Sequence, residues 1–128
     1  MSRRILVIDD EQGIRAALGQ LLEYEGYEVH TVANAADGIA EYQKWRPHLV
    51  FLDVKMAGMD GLEILREIKR AAPGVEVIML TGHASVESGI QGMQLGAFDY
   101  VMKPVALDEL LEKVRQAYDR KVIQAGKA

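Results

Sequence analysis

Cysteine is absent from the chain, which excludes disulfide staples, iron–sulfur ligation and thiol catalysis. No apolar run approaches the roughly 20 residues needed to cross a bilayer as a helix, so no membrane partner is expected. No block of basic residues occurs either, and 19 acidic against 15 basic side chains leave a net charge of −4. That balance argues against a nucleic-acid surface within the chain; any DNA contact would need another domain or partner. The start, Met1-Ser2-Arg3-Arg4-Ile5, lacks a small-residue cleavage site, so no signal peptide and a cytoplasmic location are expected. Internal repeats and low-complexity tracts are missing too. What is present is a 128-residue chain, 49% hydrophobic and 27% charged, the size and balance of one domain with its own core.

Short apolar runs alternate with helix-like stretches five times. Ile5 to Ile8, Leu49 to Leu52, Val75 to Leu80 and Tyr100 to Met102 are continuous enough for strands buried on both faces. Tyr27 to Val32 alternates, as a strand nearer an edge does. Between them, Gln12 to Glu25 carries Ile14, Ala17, Leu18, Leu21 and Leu22 at helical spacing, with Gly26 placed for a left-handed cap. Asn34 is an N-cap for a helix running to Trp45 and ended by Arg46-Pro47. Trp45, far from the strand ends, is expected to cap apolar surface. Val54 to Gly61 reads as a loop, and Leu62, Leu65 and Ile68 line a third helix that stops near Ala72-Pro73-Gly74. Ser85 to Leu95 is the weakest helix, because Gly89 and Gly92 lie inside it at about 1 kcal/mol each; it is expected to be the loosest. The last helix starts near Leu107, with Leu107, Leu111, Val114 and Tyr118 on one stripe beside Leu110, Ala117 and Val122. This alternation predicts a doubly wound, flavodoxin-like α/β fold with five parallel strands in the order 2-1-3-4-5.

In that order, strands one and three flank the topological switch point, where ligands bind outside the carboxyl ends of strands. Asp9, Asp10 and Asp53 would meet there. Alone, Asp9 and Asp10 read as turn or capping acids. With Asp53 at the neighbouring strand end, three converging carboxylates instead suit a hard cation, and Mg²⁺ fits best because it binds few protein oxygens and keeps positions for water and phosphate. Thr81 and Lys103 end the next two runs. Lys103 would aim an ammonium over the same rim as a fixed countercharge for phosphate or carboxylate. In-line phosphoryl transfer to an aspartate needs charge neutralisation and alignment more than a base, since the carboxylate is already ionised at neutral pH.

Four motifs carry a resemblance: Leu6-Val7-Ile8-Asp9-Asp10-Glu11, Leu52-Asp53-Val54-Lys55-Met56-Ala57-Gly58-Met59-Asp60-Gly61, Leu80-Thr81-Gly82-His83, and Gly96-Ala97-Phe98-Asp99-Tyr100-Val101-Met102-Lys103-Pro104. Together they resemble the bacterial response-regulator receiver domain, from Ile5 to about Tyr118. Thr81 to Pro104 is most similar to receivers of the nitrogen-regulation type, which often precede an ATPase domain acting with an alternative sigma factor; no such domain is present in this chain. The resemblance implies that Asp53 accepts a phosphoryl group from a phosphohistidine. It implies Mg²⁺ bound by Asp10, Asp53 and the Lys55 backbone carbonyl, with Asp9 assisting; Mn²⁺ can substitute. It implies that Lys103 pairs with Asp53 at rest and with a phosphoryl oxygen afterwards, and that Thr81 donates to another. Tyr100 matches the switch aromatic that turns inward as Thr81 moves, remodelling the face of helix four, strand five and helix five. Lys55 and His83 match positions that tune dephosphorylation of the labile acyl phosphate. The Lys103-Pro104 bond is implied to be cis. Ala57 departs from the family's usual proline, which bears on the order of that loop.

The implied domain is 1–120, with 121–128 a tail or the start of a linker. Ile14 and Arg15, with Gly13, are candidate docking residues for a sensor histidine kinase or histidine phosphotransfer protein. A downstream output domain or protein would read the altered face, and a phosphorylation-dependent homodimer is open to it. Self-phosphorylation and autodephosphorylation are the only catalysis expected, so the chain is not otherwise an enzyme. Three other readings are weaker. An aspartyl-nucleophile phosphatase would need a second aspartate where Lys55 stands. A flavodoxin-like cofactor binder would need a phosphate-cradling first loop in place of Asp9-Asp10-Glu11. A pseudo-receiver, signalling without phosphorylation, would have no use for the full acidic, Thr81 and Lys103 set.

Overall fold

A computed structural model describes residues 3–53, 55–56, 59–72, 74–82, 86–103 and 105–126, with backbone alone at 55–56, 59–60, 86–89 and 120–126. The elements follow in the order β1 (Arg4–Ile8), α1 (Gln12–Tyr24), β2 (Glu28–Val32), α2 (Ala35–Trp45), β3 (Leu49–Asp53), α3 (Gly61–Ala71), β4 (Glu76–Thr81), α4 (Val86–Gln94), β5 (Asp99–Met102) and α5 (Leu107–Gly126). All pairings in the main sheet are parallel, in the order β2-β1-β3-β4-β5. The predicted topology is therefore the observed one.

The central strands are apolar because both faces are covered. Leu6, Ile8, Val50, Leu52, Val77 and Met79 face a layer containing Ala35 and Tyr42 of α2 and Ile64, Leu65 and Ile68 of α3. Ile5, Val7, Leu49, Phe51, Ile78 and Leu80 face Leu18 and Leu22 of α1 and Leu110, Val114, Ala117 and Tyr118 of α5. Every residue of β3 and β4 is buried, whereas β2, an edge strand, is largely exposed.

Helix ends follow the sequence cues. Asn34 accepts the Asp37 N–H at 2.8 Å. Gly26, at φ 96°, closes α1: the Gly26 N–H reaches Glu23 O and the Tyr27 N–H reaches Leu22 O, a Schellman arrangement. Arg46 ends α2 in the left-handed region.

Two expectations need correction. Within 54–61, Lys55–Met56 and Met59–Asp60 form a short antiparallel ladder and Gly61 opens α3, so the segment is not wholly a loop; two-residue strands are too short to leave a period. Leu107 is 48% exposed rather than part of the buried stripe, which begins at Leu110. Gly92 also has a packing role: a Cβ there would collide with Met79 Sδ and Cε. The glycine brings α4 onto β4 and does not merely weaken the helix. The side chain of Val122, with Pro73 and Ser85, lies outside the described residues.

Candidate phosphoacceptor site

Parallel register delivers the site residues to one end of the sheet. Ile8 pairs with both Val32 and Leu52, Asp53 with Leu80, and Thr81 with Met102. The residues at or just beyond those ends are Asp9 and Asp10, Asp53, Thr81 and Lys103. Asp9 is wholly buried, and Asp53 and Thr81 are 3% and 2% exposed; Asp10 and Glu11 are exposed.

Backbone bonds fix these positions. The Asp9 N–H donates to Val32 O at 3.1 Å, and the Lys103 N–H donates to Thr81 O at 2.7 Å. Asp9 Oδ1 accepts the Glu11 N–H at 2.9 Å, and the Asp9 carbonyl accepts from Arg15 Nη1 at 2.9 Å.

Lys103 Nζ lies 2.9 Å from Glu11 Oε1, 3.1 Å from Asp9 Oδ2 and 3.4 Å from Asp53 Oδ2. Burial by itself would lower the Lys103 pKa. The hydrogen bond to Glu11 and the close ion-pair contact with Asp9, with the charges of Asp53 and Asp9, outweigh it and hold the ammonium above the ordinary lysine value. One ammonium does not balance the cluster. Asp9, Asp10, Glu11 and Asp53 each present a carboxylate oxygen within 4.8 Å of the others. Asp9 Oδ2, buried, has the ion-pair contact with Lys103 but no well-aligned hydrogen bond. Hard oxygen donors with excess negative charge and a poorly satisfied buried oxygen fit a divalent cation.

The response regulator receiver domain model matches residues 5–115. The chain belongs to that family. The receiver is 38% identical over 121 residues to the nitrogen assimilation regulatory protein NtrX of Azorhizobium caulinodans, covering 93% of this chain and 27% of that protein. It is 35% identical to sporulation initiation phosphotransferase F of Bacillus subtilis, covering 91% of this chain and 94% of the relative. Among solved structures, a CheY-like receiver domain protein from Methanospirillum hungatei aligns with TM-score 0.92 at 37% identity, over 97% of this chain and 99% of that one. NtrX from Brucella abortus aligns with TM-score 0.93 at 34% identity, over 98% of this chain and 29% of that one. The receiver thus spans about a quarter of the length of its NtrX relative. As a member of this family it is a regulatory phosphoacceptor domain of two-component signalling.

The other sequence candidates are distributed as follows. Tyr100, on β5, is half-buried against the α2–α3 layer. Ile14 is partly buried against the α1–α5 layer, and the Arg15 side chain is engaged with the Asp9 carbonyl. The Lys55 backbone lies in the short ladder after β3. His83, Ala57 and Pro104, and with Pro104 the implied cis bond, lie outside the described residues, as does the side chain of Lys55. Sequence reasoning gave Glu11 no role of its own, although it makes the shortest of the three contacts to Lys103. Its position directly after the acidic pair was the available signal.

Proposed function

We propose that Asp53 is the phosphoacceptor of this receiver, and that Asp10, Asp53 and the Lys55 backbone carbonyl, assisted by Asp9, hold Mg²⁺, with Mn²⁺ able to replace it. The observation that carries this reading is the buried Asp53 carboxylate 3.4 Å from Lys103 within a cluster of four acids. A carboxylate oxygen of Asp53 attacks phosphorus as the P–N bond of a phosphohistidine breaks; the new P–O bond makes an acyl phosphate and the imidazole leaves with the electron pair. Bound Mg²⁺ supplies charge neutralisation for the transferring group. Lys103 adds a second positive charge, and the β3 strand end fixes the direction of attack. Thr81 donates to a phosphoryl oxygen, and its movement draws Tyr100 inward, altering the α4–β5–α5 face that an output partner reads. Lys55 and His83 set the lifetime of the acyl phosphate.

The donor is a histidine kinase or histidine phosphotransfer protein docking near Ile14 and Arg15 in the cytoplasm. Residues 1–120 form the receiver, and 121–128 belong to a tail or linker. Incubation with acetyl phosphate, followed by intact mass, tests the reading. The expected result is one labile phosphoryl group that requires Mg²⁺ and disappears in Asp53→Asn. An adduct that survives Asp53→Asn would place the chemistry elsewhere.

A further inference from the structure

Glu11 occupies the N-cap of α1, yet its side chain makes no capping hydrogen bond. Glutamate is a poor cap in any case, as the favoured residues are Ser, Thr, Asp and Asn. Its backbone is nonetheless fixed on both sides: the Glu11 N–H donates to Asp9 Oδ1 at 2.9 Å, and the Glu11 carbonyl accepts the Arg15 N–H at 3.1 Å. From that anchored backbone the carboxylate reaches Lys103, 92 residues away in sequence, at 2.9 Å.

The other two partners of Lys103 differ in kind. The Asp9 and Asp53 side chains are 0% and 5% exposed, whereas that of Glu11 is 59% exposed. The ammonium is therefore shared between two interior acids and one at the surface, and its longest contact is to Asp53. A lysine drawn fully between Asp9 and Asp53 would neutralise them and compete with any cation for their oxygens. The Lys103 backbone cannot relieve that competition, being tied to Thr81 O at 2.7 Å. Only the side chain can move aside, and Glu11 is the group positioned to hold it there.

We propose that Glu11 is a positioning residue that holds the Lys103 ammonium on the solvent side of Asp9 and Asp53 and so keeps those carboxylates available to a divalent cation. The inference rests on the metal-site reading above, and the two can fail separately. The test is calorimetric titration with Mg²⁺ of the full chain as wild type, Glu11→Gln, Lys103→Met and the double variant, with circular dichroism as the check on folding. Glu11→Gln is expected to weaken Mg²⁺ binding roughly three- to tenfold when Lys103 is present, and to change it by less than about twofold in the Lys103→Met background. Equal losses in both backgrounds would show Glu11 acting by its own charge or as a ligand, and would overturn the proposal. No loss in either background would overturn it too. A folded wild type that binds no Mg²⁺ would sink the metal-site reading and the inference with it. If Lys103→Met does not fold, Lys103→Gln, which keeps a donor without the charge, takes its place in the cycle.

Discussion

Lys103 and Tyr118 mark the two ends of the sheet, and each shows what a single side chain does beyond its sequence neighbourhood. Lys103 was legible as a countercharge because it ends an apolar run. Its division among Glu11, Asp9 and Asp53 was not, because that depends on side-chain paths converging from α1, β1 and β3. Tyr118 read only as an apolar stripe member. It is 5% exposed, its hydroxyl donates to Arg4 O at 3.2 Å, and its ring stacks on Tyr27 with centroids 5.6 Å apart. Burial, reinforced by Tyr27 and opposed by the nearby Arg3 guanidinium, holds its pKa above the usual 10.0. The folded state thus binds the phenolic proton more tightly than the unfolded chain does. Stability from this group is complete below pH 10 and is lost as pH rises from there through the folded-state pKa, at up to about 1.4 kcal/mol per pH unit. Urea denaturation at pH 9 to 11 should show that decline in wild type and a shallower one in Tyr118→Phe; equal slopes would deny Tyr118 this role.

Helix α4 is the element in which one residue has a second reason to be there that the sequence does not show. Two glycines within it suggested looseness, and propensity alone supports that. Packing gives Gly92 a different reason, because Met79 occupies the space a Cβ would need, with Leu65 Cδ2 3.6 Å away. Gly92→Ala should therefore destabilise the protein by about 1–3 kcal/mol despite the better helix propensity of alanine. Met79→Val in the same chain should recover part of that loss, since it removes the obstructing thioether. A chemical denaturation midpoint unchanged or raised by Gly92→Ala would show that α4 has room to spare. Asn34 and Gly26 behaved as their sequence positions predicted, because caps are local and need only their own turn. The ladder at Lys55–Met56 and Met59–Asp60 stayed hidden because two residues establish no alternation.

For the whole molecule, five parallel strands in the order β2-β1-β3-β4-β5 were readable because period and punctuation agreed along the chain. The same order explains why residues as distant as Asp9, Asp53 and Lys103 share one rim: parallel strands bring all their carboxyl ends to one side, and β1 and β3 lie adjacent at the switch point. The two apolar layers hold that rim in place from both faces of the sheet. The central claim is that this rim directs phosphoryl transfer to a single carboxylate. Its most direct measurement is to treat the freshly phosphorylated protein with borohydride, which reduces an acyl phosphate to the alcohol, and to locate the reduced residue by peptide mass spectrometry. The account predicts homoserine at position 53 and at no other aspartate. Reduction at Asp9 or Asp10, or a phosphoryl group that borohydride leaves in place on a histidine, serine or threonine, would contradict it.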